Sequence, residues 1–323
     1  MTAAAADPRS PGQPVDGGGE PAGRRPGDLS TVTRAEQLTD RITYHGEGAV
    51  WFPGPGRDGG ILHLVDMLAG DVLTLLPDGG VHRRSVGTVA AVLRPRTGGG
   101  AVVADEHGFL VADADALDPS GLGQFRRLAQ AVDDDTIRLN EGNADPAGAF
   151  YCGSMAWAKT AGRGTLYRLD PDGSVTTVLT GVTISNGLGF TPDGHTAYYV
   201  DTPTHRIDAF DWDAEHGLHD RRPFVAVDGN PDGLVVDAEG GVWAALFGGG
   251  AVHHYGPDGT LSEVVEIPGA EQVTSVTLGG PAMDRLFVTT SREDLPDDAW
   301  PAAGAVFTAP AGVRGQAPLP FRG

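Results

Sequence analysis

The sequence predicts an all-β fold, a six-bladed β-propeller with four-stranded antiparallel blades. Three observations lead to this prediction: a pattern that recurs at a fixed interval, short alternating apolar runs separated by turns, and the lack of any long segment with a 3.6-residue apolar period. Glycine and proline are abundant, with 49 and 24 copies in 323 residues. Such a composition is typical of many short strands joined by tight turns, so little helix is expected.

One pattern occurs three times: a polar residue, a glycine one or two positions later, a short run and a second glycine eight positions after the polar residue. The polar residues are Asn140, Asn186 and Asp232, and both intervals between them are 46 residues. A fixed period of this length indicates one structural unit repeated around an axis, which brings the same position of each unit to one place. One period before Asn140 lies near Val92, and a second leads to Glu47 in YHGEGAVW.

The first three units follow the chain from Ile42. The first contains GEGAVW, ILHLVD and DVLTLL, and the Pro-Asp-Gly turn at 77–79 predicts a hairpin. The second begins near Thr88 with TVAAVLRP and has no polar residue at the repeated position. The third begins at Ile137, contains AFYCGSMA, and includes a hairpin predicted around 172–173.

The last three units have the same organisation. The fourth begins at Ser185 and contains TAYYVDT, the fifth begins at Asn230 and contains GVWAALF, and the sixth contains QVTSVTLGG, RLFVTTS and GAVFTAPAGV. Six units of about four strands match a propeller, whose blades pack radially and leave only short edges. A linear solenoid would need polar capping repeats, and none is visible. Because the first strand of each propeller blade lines the central channel, residues at the repeated position should converge at one mouth.

Composition and charge narrow the class of protein. The formal net charge of −20 disfavours binding to nucleic acid or anionic membranes, whereas an acidic concave site would attract cations. The single cysteine, Cys152, excludes an internal disulfide and is expected to be a small core residue. We therefore predict a cytoplasmic protein that is a monomer or a weak homodimer.

The chain divides into two parts. Residues 1–35 are rich in Ala, Pro, Gly and Asp and have no apolar segment, which predicts a disordered leader outside the fold. Residues 36–323 are predicted to form one propeller domain. No apolar run of about 18 residues occurs, so no membrane-spanning helix is expected.

Each candidate site residue has an ordinary structural alternative. Glu47 could be an exposed turn residue, and Asn186 before a glycine could be part of a hairpin turn. Asp232 lies in a Pro-Asp-Gly sequence that occurs elsewhere as a plain turn, but it has the phase of Asn186 rather than that of 192–194. Arg138 and Asn140 alternate along a strand and should face one side, although an edge arginine with a capping asparagine is the alternative.

Other polar residues are weaker candidates. Glu141 and Asp145 are expected to be turn or supporting groups rather than ligands. The histidines have no metal-binding pair spacing and are expected to be surface or strand residues, namely His45, His107, His205, His253 and His254. The sequence has no GxSxG motif around Ser154 or Ser185, so a serine hydrolase is not expected.

Five segments resemble the regucalcin and gluconolactonase (senescence marker protein) family: HGEGAVW, RLNEGNADPAGAFYCGSM, SNGLGFTPDGHTAYYVDT, NPDGLVVDAEGGVWAAL and TSVTLGGPAMDRLFVTTSR. The resemblance extends from about residue 40 to the C-terminus. It implies a six-bladed propeller that holds one divalent cation at the channel mouth and hydrolyses sugar lactones. Two departures concern the substrate: Glu141 replaces the family's usual aspartate, and the short loop at 156–164 lacks the acidic residue that lies over the sugar in some members.

The resemblance also implies roles for individual residues. Glu47, Asn186 and Asp232 correspond to the metal ligands, and Arg138 and Asn140 correspond to residues that face the substrate. Oxygen ligands of this kind suit Ca²⁺, Mg²⁺ or Mn²⁺, and Zn²⁺ could also bind. Asp232 is predicted to accept the proton of the attacking water as well, which makes Asp232, Arg138 and Asn140 the catalytic set.

The sequence leaves three functions open. The first is a metal-dependent lactonase that acts on a small sugar-type lactone. The second uses the same cation site for another ester, or for a carbonyl rearrangement or cyclisation in a specialised pathway. The third is a cation-binding propeller without catalytic activity.

Overall fold

The computed structural model describes residues 31–54, 59–119 and 121–323. Within these ranges the chain forms 25 strands in six sheets, with three 3-10 turns and no α-helix. Each sheet has four antiparallel strands, apart from one fifth strand added at an edge. The prediction of a six-bladed all-β propeller is confirmed. None of the helical turns in the described ranges has the length and apolar character needed to span a bilayer.

The strands follow the chain blade by blade. Two strands precede the blades, β1 (Thr31–Arg34) and β2 (Glu36–Gln37). Blade one contains β3 (Gly46–Pro53), β4 (Gly60–Asp66), β5 (Asp71–Leu75) and β6 (Val81–Ser85). Blade two contains β7 (Ala90–Pro95), β8 (Ala101–Asp105), β9 (Gly108–Ala112) and β10 (Phe125–Gln130). Blade three contains β11 (Ile137–Ala144), β12 (Phe150–Ala156), β13 (Gly164–Leu169) and β14 (Val175–Val182).

The second half of the chain supplies the other three blades. Blade four contains β15 (Ser185–Phe190), β16 (Thr196–Asp201), β17 (Arg206–Asp213) and β18 (Gly217–Ala226). Blade five contains β19 (Asn230–Val236), β20 (Val242–Phe247), β21 (Ala251–Tyr255) and β22 (Leu261–Glu266). Blade six contains β23 (Val273–Gly279), β24 (Arg285–Thr290) and β25 (Val306–Pro310). The 3-10 turns cover Met67–Ala69, Ala114–Ala116 and Thr202–Thr204.

The N-terminal strands complete the last two blades. β2 pairs antiparallel with β25, with Glu36 opposite Thr308, and becomes the fourth strand of blade six. β1 adds to the outer edge of blade five and runs parallel to β22. Residues 31–35, which the sequence assigns to the leader, therefore pair with the propeller, and Ala35 is buried. The rest of the predicted leader, residues 1–30, lies outside the described residues, so the division of the chain stays a prediction.

The blades pack through apolar strands. In blade two, β7, β8 and β9 are buried almost throughout and share a core with blades one and three. Strands covered on both faces read as continuous apolar runs, which explains VVAD and FLVA in this unit. Cys152 is fully buried in this core, as predicted.

A β-bulge explains the repeated sequence pattern. In blades three, four and five, the polar residue and its successor lie opposite a single residue of the neighbouring strand, between Leu139 and Gly142 in blade three. Such a bulge bends a strand and redirects its side chains. In blade one the bulge comes one residue later, so Glu47 precedes it.

The second glycine of the pattern has a separate cause. Gly148, Gly194 and Gly240 each have a positive φ, at 90°, 71° and 84°, in the turn that follows the inner strand. Their backbone amides close equivalent turns by donating to Asp145, Thr191 and Asp237 carbonyls. A left-handed φ favours glycine. The fixed spacing of eight positions between the polar residue and the second glycine therefore results from the same strand and turn in each blade.

Candidate metal centre

A cavity opens at one end of the central channel. It is lined by His45, Glu47, Arg138, Asn140, Met155, Lys159, Ile184, Asn186, Thr202, Asp232, Phe247 and Glu293. All five residues predicted from the sequence as ligands or substrate contacts are in this set. The inner strands β3, β11, β15 and β19 carry them, so residues up to 185 positions apart in sequence meet at one place.

The two predicted carboxylate ligands are buried and lack neutralising partners. Glu47 Oε2 accepts a hydrogen bond from the Gly48 amide at 3.1 Å, and Asp232 Oδ1 has no hydrogen-bond partner. Burial, and then the charges of Asp232 and Glu141, raise the pKa of Glu47 well above its usual range. Burial followed by the Glu141 charge does the same to the pKa of Asp232. Buried carboxylates of this kind are costly unless a cation compensates them.

Hydrogen bonds fix the orientation of the two amide side chains. Asn140 Nδ2 donates to Ser185 O at 2.8 Å and to Asn186 Oδ1 at 3.1 Å. Asn186 Nδ2 donates to Thr202 Oγ1 at 2.8 Å, and that hydroxyl donates to Pro231 O at 2.8 Å. Since the nitrogen of Asn186 is engaged by the protein, its oxygen, with a lone pair to spare, is the atom available to a ligand.

Arg138 is held beside these amides with its Nε donor unused. Its guanidinium donates to Asn140 Oδ1 at 2.5 Å and to Leu139 O at 3.1 Å. The guanidinium also lies 5.2 Å from the ring centroid of Trp157, within the range of a cation–π contact. Arg138 Nε is buried without a hydrogen-bond partner. A free donor in a buried position indicates a place for a ligand oxygen.

The donor set fits a hard divalent cation. Glu47 and Asp232 supply carboxylate oxygens and Asn186 supplies an amide oxygen, which are the ligands that Ca²⁺, Mg²⁺ and Mn²⁺ prefer. The unpartnered Asp232 Oδ1 is the observation that supports this fit. These three residues would hold the ion, and their assignment as ligands stays a prediction.

Comparison with known proteins identifies the family. A family model described as the SMP-30/gluconolactonase/LRE-like region matches residues 45–292. The chain belongs to this family. The resemblance noted from the sequence motifs is therefore confirmed.

Relatives of this SMP-30/gluconolactonase family member include lactonases that it matches over most of their length. A pentonolactonase of Haloferax volcanii is 38% identical over 289 residues, which cover 86% of this chain and 93% of the relative. A 6-deoxy-6-sulfogluconolactonase of Pseudomonas putida is 33% identical over 274 residues, covering 81% and 91%. The solved structure of a calcium-binding protein, regucalcin, from Agrobacterium tumefaciens has a TM-score of 0.82 and 29% identity, and covers 91% of this chain and 100% of that one.

Some residues that line the cavity were not predicted from the sequence. His45 was expected to be a surface or strand residue, but it is buried and lines the cavity. Its Nδ1 lies 2.6 Å from Ser291 Oγ, and its Nε2 lies 3.9 Å from Glu47 Oε1. Burial, and then the charges of Arg138 and Lys159, lower the pKa of His45 to about 3. Its position two residues before Glu47 was the one signal available.

The distribution of polar residues among the blades also differs from expectation. The repeated position is polar in units one, three, four and five, but Glu293, which follows the inner pair of strands of blade six, lines the cavity as well. Within the described ranges no residue of blade two lines it, which agrees with the absence of a polar residue at the repeated position.

Glu141 occupies a different level of the channel. It does not line the cavity, and its Oε1 accepts a hydrogen bond from Arg94 at 2.7 Å. Arg94 also donates to Leu93 O at 2.7 Å and to Asn143 Oδ1 at 3.2 Å. Blade two therefore contributes a buried cation below the mouth, and Glu141 is a supporting group, as expected. Asp145 accepts the Ala149 amide in the turn after β11.

A second group of potential ligands lies outside the channel. Asp211, His219 and Asp220 on the outer strands of blade four place ligand atoms within 4.8 Å of one another. Arg222 already pairs with Asp211 at 2.7 Å, and Asp220 is exposed. The channel site is the stronger candidate because its carboxylates are buried and unpaired.

Proposed function

We propose that this chain is a divalent-metal-dependent lactonase that opens a small sugar-type lactone by hydrolysis. In this reaction water adds to the acyl carbon, the bond from that carbon to the ring oxygen breaks, and one proton of the water passes to that oxygen. The hydroxy acid that forms ionises at neutral pH to a hydroxycarboxylate and a proton. The observation that carries the proposal is the buried cavity in which an unpartnered Asp232 oxygen lies with Glu47, Asn186 and Arg138. Relatives with lactonase names that match over nine tenths of their length support it.

The ion would be held by Glu47, Asn186 and Asp232. When bound, a divalent cation polarises the lactone carbonyl as a Lewis acid and lowers the pKa of a bound water molecule. Ca²⁺, Mg²⁺, Mn²⁺ and Zn²⁺ are the candidates, and the oxygen donor set favours the first three.

Asp232 would also accept the proton of the attacking water. Its Oδ1 has no hydrogen-bond partner, so a lone pair is available for this transfer. A carboxylate that removes a proton from water during attack contributes typically 10²- to 10⁴-fold to the rate.

Arg138 and Asn140 would bind and orient the substrate. Arg138 Nε is the free donor, while the other guanidinium contacts and the Trp157 ring keep the group in place. Donors fixed in advance stabilise the negative charge that develops on the carbonyl oxygen without having to reorganise. Asn140 fixes both the guanidinium and the Asn186 amide, which couples substrate binding to the cation site.

A non-catalytic cation-binding propeller is the second candidate. The observation that favours it is the similarity to a solved structure whose name describes a calcium-binding protein. The other alternative, a different ester or a carbonyl rearrangement or cyclisation at the same cation site, rests on Glu141 and the short loop at 156–164.

A lactone panel assayed after metal stripping and metal add-back separates these functions. Proton release from gluconolactone and pentonolactones should fall to the uncatalysed rate after chelation and rise again with one of the four ions. Ion-dependent thermal stabilisation without turnover of any lactone would support the non-catalytic propeller instead. Turnover that persists unchanged in the fully stripped protein would contradict metal dependence.

The compartment and the partners complete the proposal. We propose a cytoplasmic enzyme whose partner is a small-molecule lactone, with no nucleic acid or membrane partner. The net charge of −20 supports the exclusion of polyanionic partners. A monomer or weak homodimer remains the expected oligomeric state.

A further inference from the structure

The 323-residue chain contains a single lysine, and this lysine lies at the candidate site. Of the 23 Lys and Arg residues, Lys159 is the one lysine, and it lines the cavity with Arg138 and the predicted ligands. Every other basic residue of this class in the chain is an arginine. The position of Lys159 therefore invites a specific explanation.

The backbone holds Lys159 in an uncommon conformation at the rim. It lies in the loop between β12 and β13, its φ is 52°, and its amide donates to Ala156 O at 2.8 Å. A left-handed φ is uncommon for a residue with a long side chain. The side chain is exposed, and its positive charge acts on His45 on blade one. Lys159 is thus at the rim of the cavity rather than on an outer face.

The ammonium group has no ion-pair partner among the described residues, although acidic side chains are close. Glu47 and Glu293 line the same cavity, and each has a carboxylate oxygen within 4 Å of a His45 ring nitrogen. Arg163, four positions later in the same loop, is paired with Asp134 at 2.9 Å. Arg163, outside the cavity, therefore has an ion-pair partner, whereas Lys159, at the cavity, has none among the described residues.

Charges around the mouth are segregated. Lys159 and Arg138 lie together on blade three, and Arg138 Nε is a buried donor without a partner. Glu47, Asp232 and Glu293 come from blades one, five and six. A divalent ion held by Glu47 and Asp232 would offset their charges, whereas Lys159 would keep its positive charge at the rim and attract an anionic group there.

We infer that Lys159 is a specificity-determining residue that binds an anionic substituent of the substrate. The inference rests on the proposed lactonase function and narrows its substrate class to sugar lactones with a second acidic group, such as a carboxylate, a sulfonate or a phosphate. The lactone carbonyl would lie towards Asp232 and the acidic substituent towards Lys159. Without such a cation, a chain with a net charge of −20 would disfavour anionic substrates.

Two matched lactones test this inference. The γ-lactones of gluconate and glucarate differ in one group, since the terminal hydroxymethyl of the first is a carboxylate in the second. The quantity to measure is the selectivity ratio, the kcat/KM of the glucarate lactone divided by that of the gluconate lactone. Wild type and three variants are compared: Lys159→Gln, Lys159→Arg and the control Arg163→Gln.

Lys159→Gln should lower the selectivity ratio about tenfold, the effect of one charge-assisted hydrogen bond at a partly exposed site. Lys159→Arg should keep most of the ratio, because the charge remains. Arg163→Gln should leave the ratio within about twofold, since this arginine pairs outside the cavity. Salt should reduce the wild-type ratio and not that of Lys159→Gln.

The outcomes separate this inference from the proposed function. If wild type hydrolyses lactones but Lys159→Gln has an unchanged ratio, the role of Lys159 is overturned and the lactonase proposal stands. If neither lactone nor any other is turned over in the presence of metal, both fail. Stabilisation against heat by the product glucarate, compared with gluconate, gives a second readout: equal stabilisation of wild type by the two acids would also count against Lys159.

Discussion

The two ends of the channel are built from the same six inner strands, but their polar groups differ in whether the protein itself supplies hydrogen-bond partners. At the end opposite the cavity, the C-terminal segment crosses the channel, and Gln316 Nε2 donates to the carbonyls of Phe190, Val236 and Asp237 at 3.1 to 3.2 Å. At the cavity end, Asp232 Oδ1 and Arg138 Nε are buried without partners. One end is completed by the protein itself, and the other is left for ligands.

The contrast is sharper because the site residues at the cavity end are buried, whereas Gln316 at the other end is half-buried. Phe321 is fully covered where the tail packs, and its amide donates to Pro95 O at 2.9 Å. Buried polar groups are normally paired, and the two unpaired atoms at the mouth belong to residues that line one cavity. The Arg94–Glu141 pair lies between the two ends and separates a neutralised region from the acidic mouth. Substitutions at the two ends and at the level between them should therefore have different effects, which are given below from the largest to the smallest.

Asp232→Asn should have the largest effect. We expect kcat/KM for a lactone to fall about a thousandfold or more, because proton acceptance and a ligand are lost together. Steady-state kinetics and titration calorimetry with Mn²⁺ measure the two losses. Asp193→Asn is a matched control, since Asp193 lies in the same Pro-Asp-Gly sequence but in an exposed turn. Equal losses in the two variants would remove the distinction between turn and ligand.

Arg94→Met should be the most destabilising change at the level between the two ends. It leaves Glu141 buried without its partner, which costs about 3 to 5 kcal/mol in the free energy of unfolding. Urea denaturation gives this value. The double variant Arg94→Met with Glu141→Gln should recover most of the loss, because no uncompensated charge remains. A single variant as stable as wild type would show that the pair does not separate the ends.

Removal of metal should loosen the cavity end alone. At an ion concentration of 100 times Kd, binding stabilises the fold by about 2.7 kcal/mol, and chelation should abolish this gain. Hydrogen exchange should then increase in β3, β15 and β19 near the mouth and stay unchanged around Gln316. Asp232→Asn provides the control, because chelator should not alter its stability. Faster exchange at both ends would contradict the expectation that metal binding affects the cavity end alone.

Gln316→Ala should have the smallest effect, and on stability rather than activity. Three carbonyls lose their donor, which lowers the free energy of unfolding by about 1 to 3 kcal/mol. Thermal denaturation measures the loss, and kcat/KM for a lactone should stay within about twofold. A large loss of activity would mean that the closed end communicates with the mouth.

Much of the fold and the central site could be predicted because one structural cause repeats in the sequence. The bulge and the glycine turn recur with each blade, so the spacing of Asn140, Asn186 and Asp232 along the chain is enough to give them the same phase. Glu47 was found by the same interval, even though the bulge of its blade is displaced by one residue.

The residues that were missed lie outside the repeat. His45 precedes its strand, Lys159 lies in an irregular loop, and Glu293 follows β24, so their convergence depends on the paths of individual loops. The pairing of β1 was missed for a related reason. A four-residue strand that pairs with a partner 232 positions away has no local signal, since its sequence TVTR is short and mostly exposed.

The two-residue strand β2 closes the ring of blades. Backbone pairing, rather than a covalent link, holds it to blade six. It joins the start of the chain to blade six through Glu36 and Gln37, opposite Thr308 and Phe307. Glu47 belongs to the first blade, whereas Asn186 and Asp232 belong to the fourth and fifth. An ion bound by all three residues would therefore link blades on both sides of this closure. The free energy of binding the ion would then help to keep the ring of blades closed.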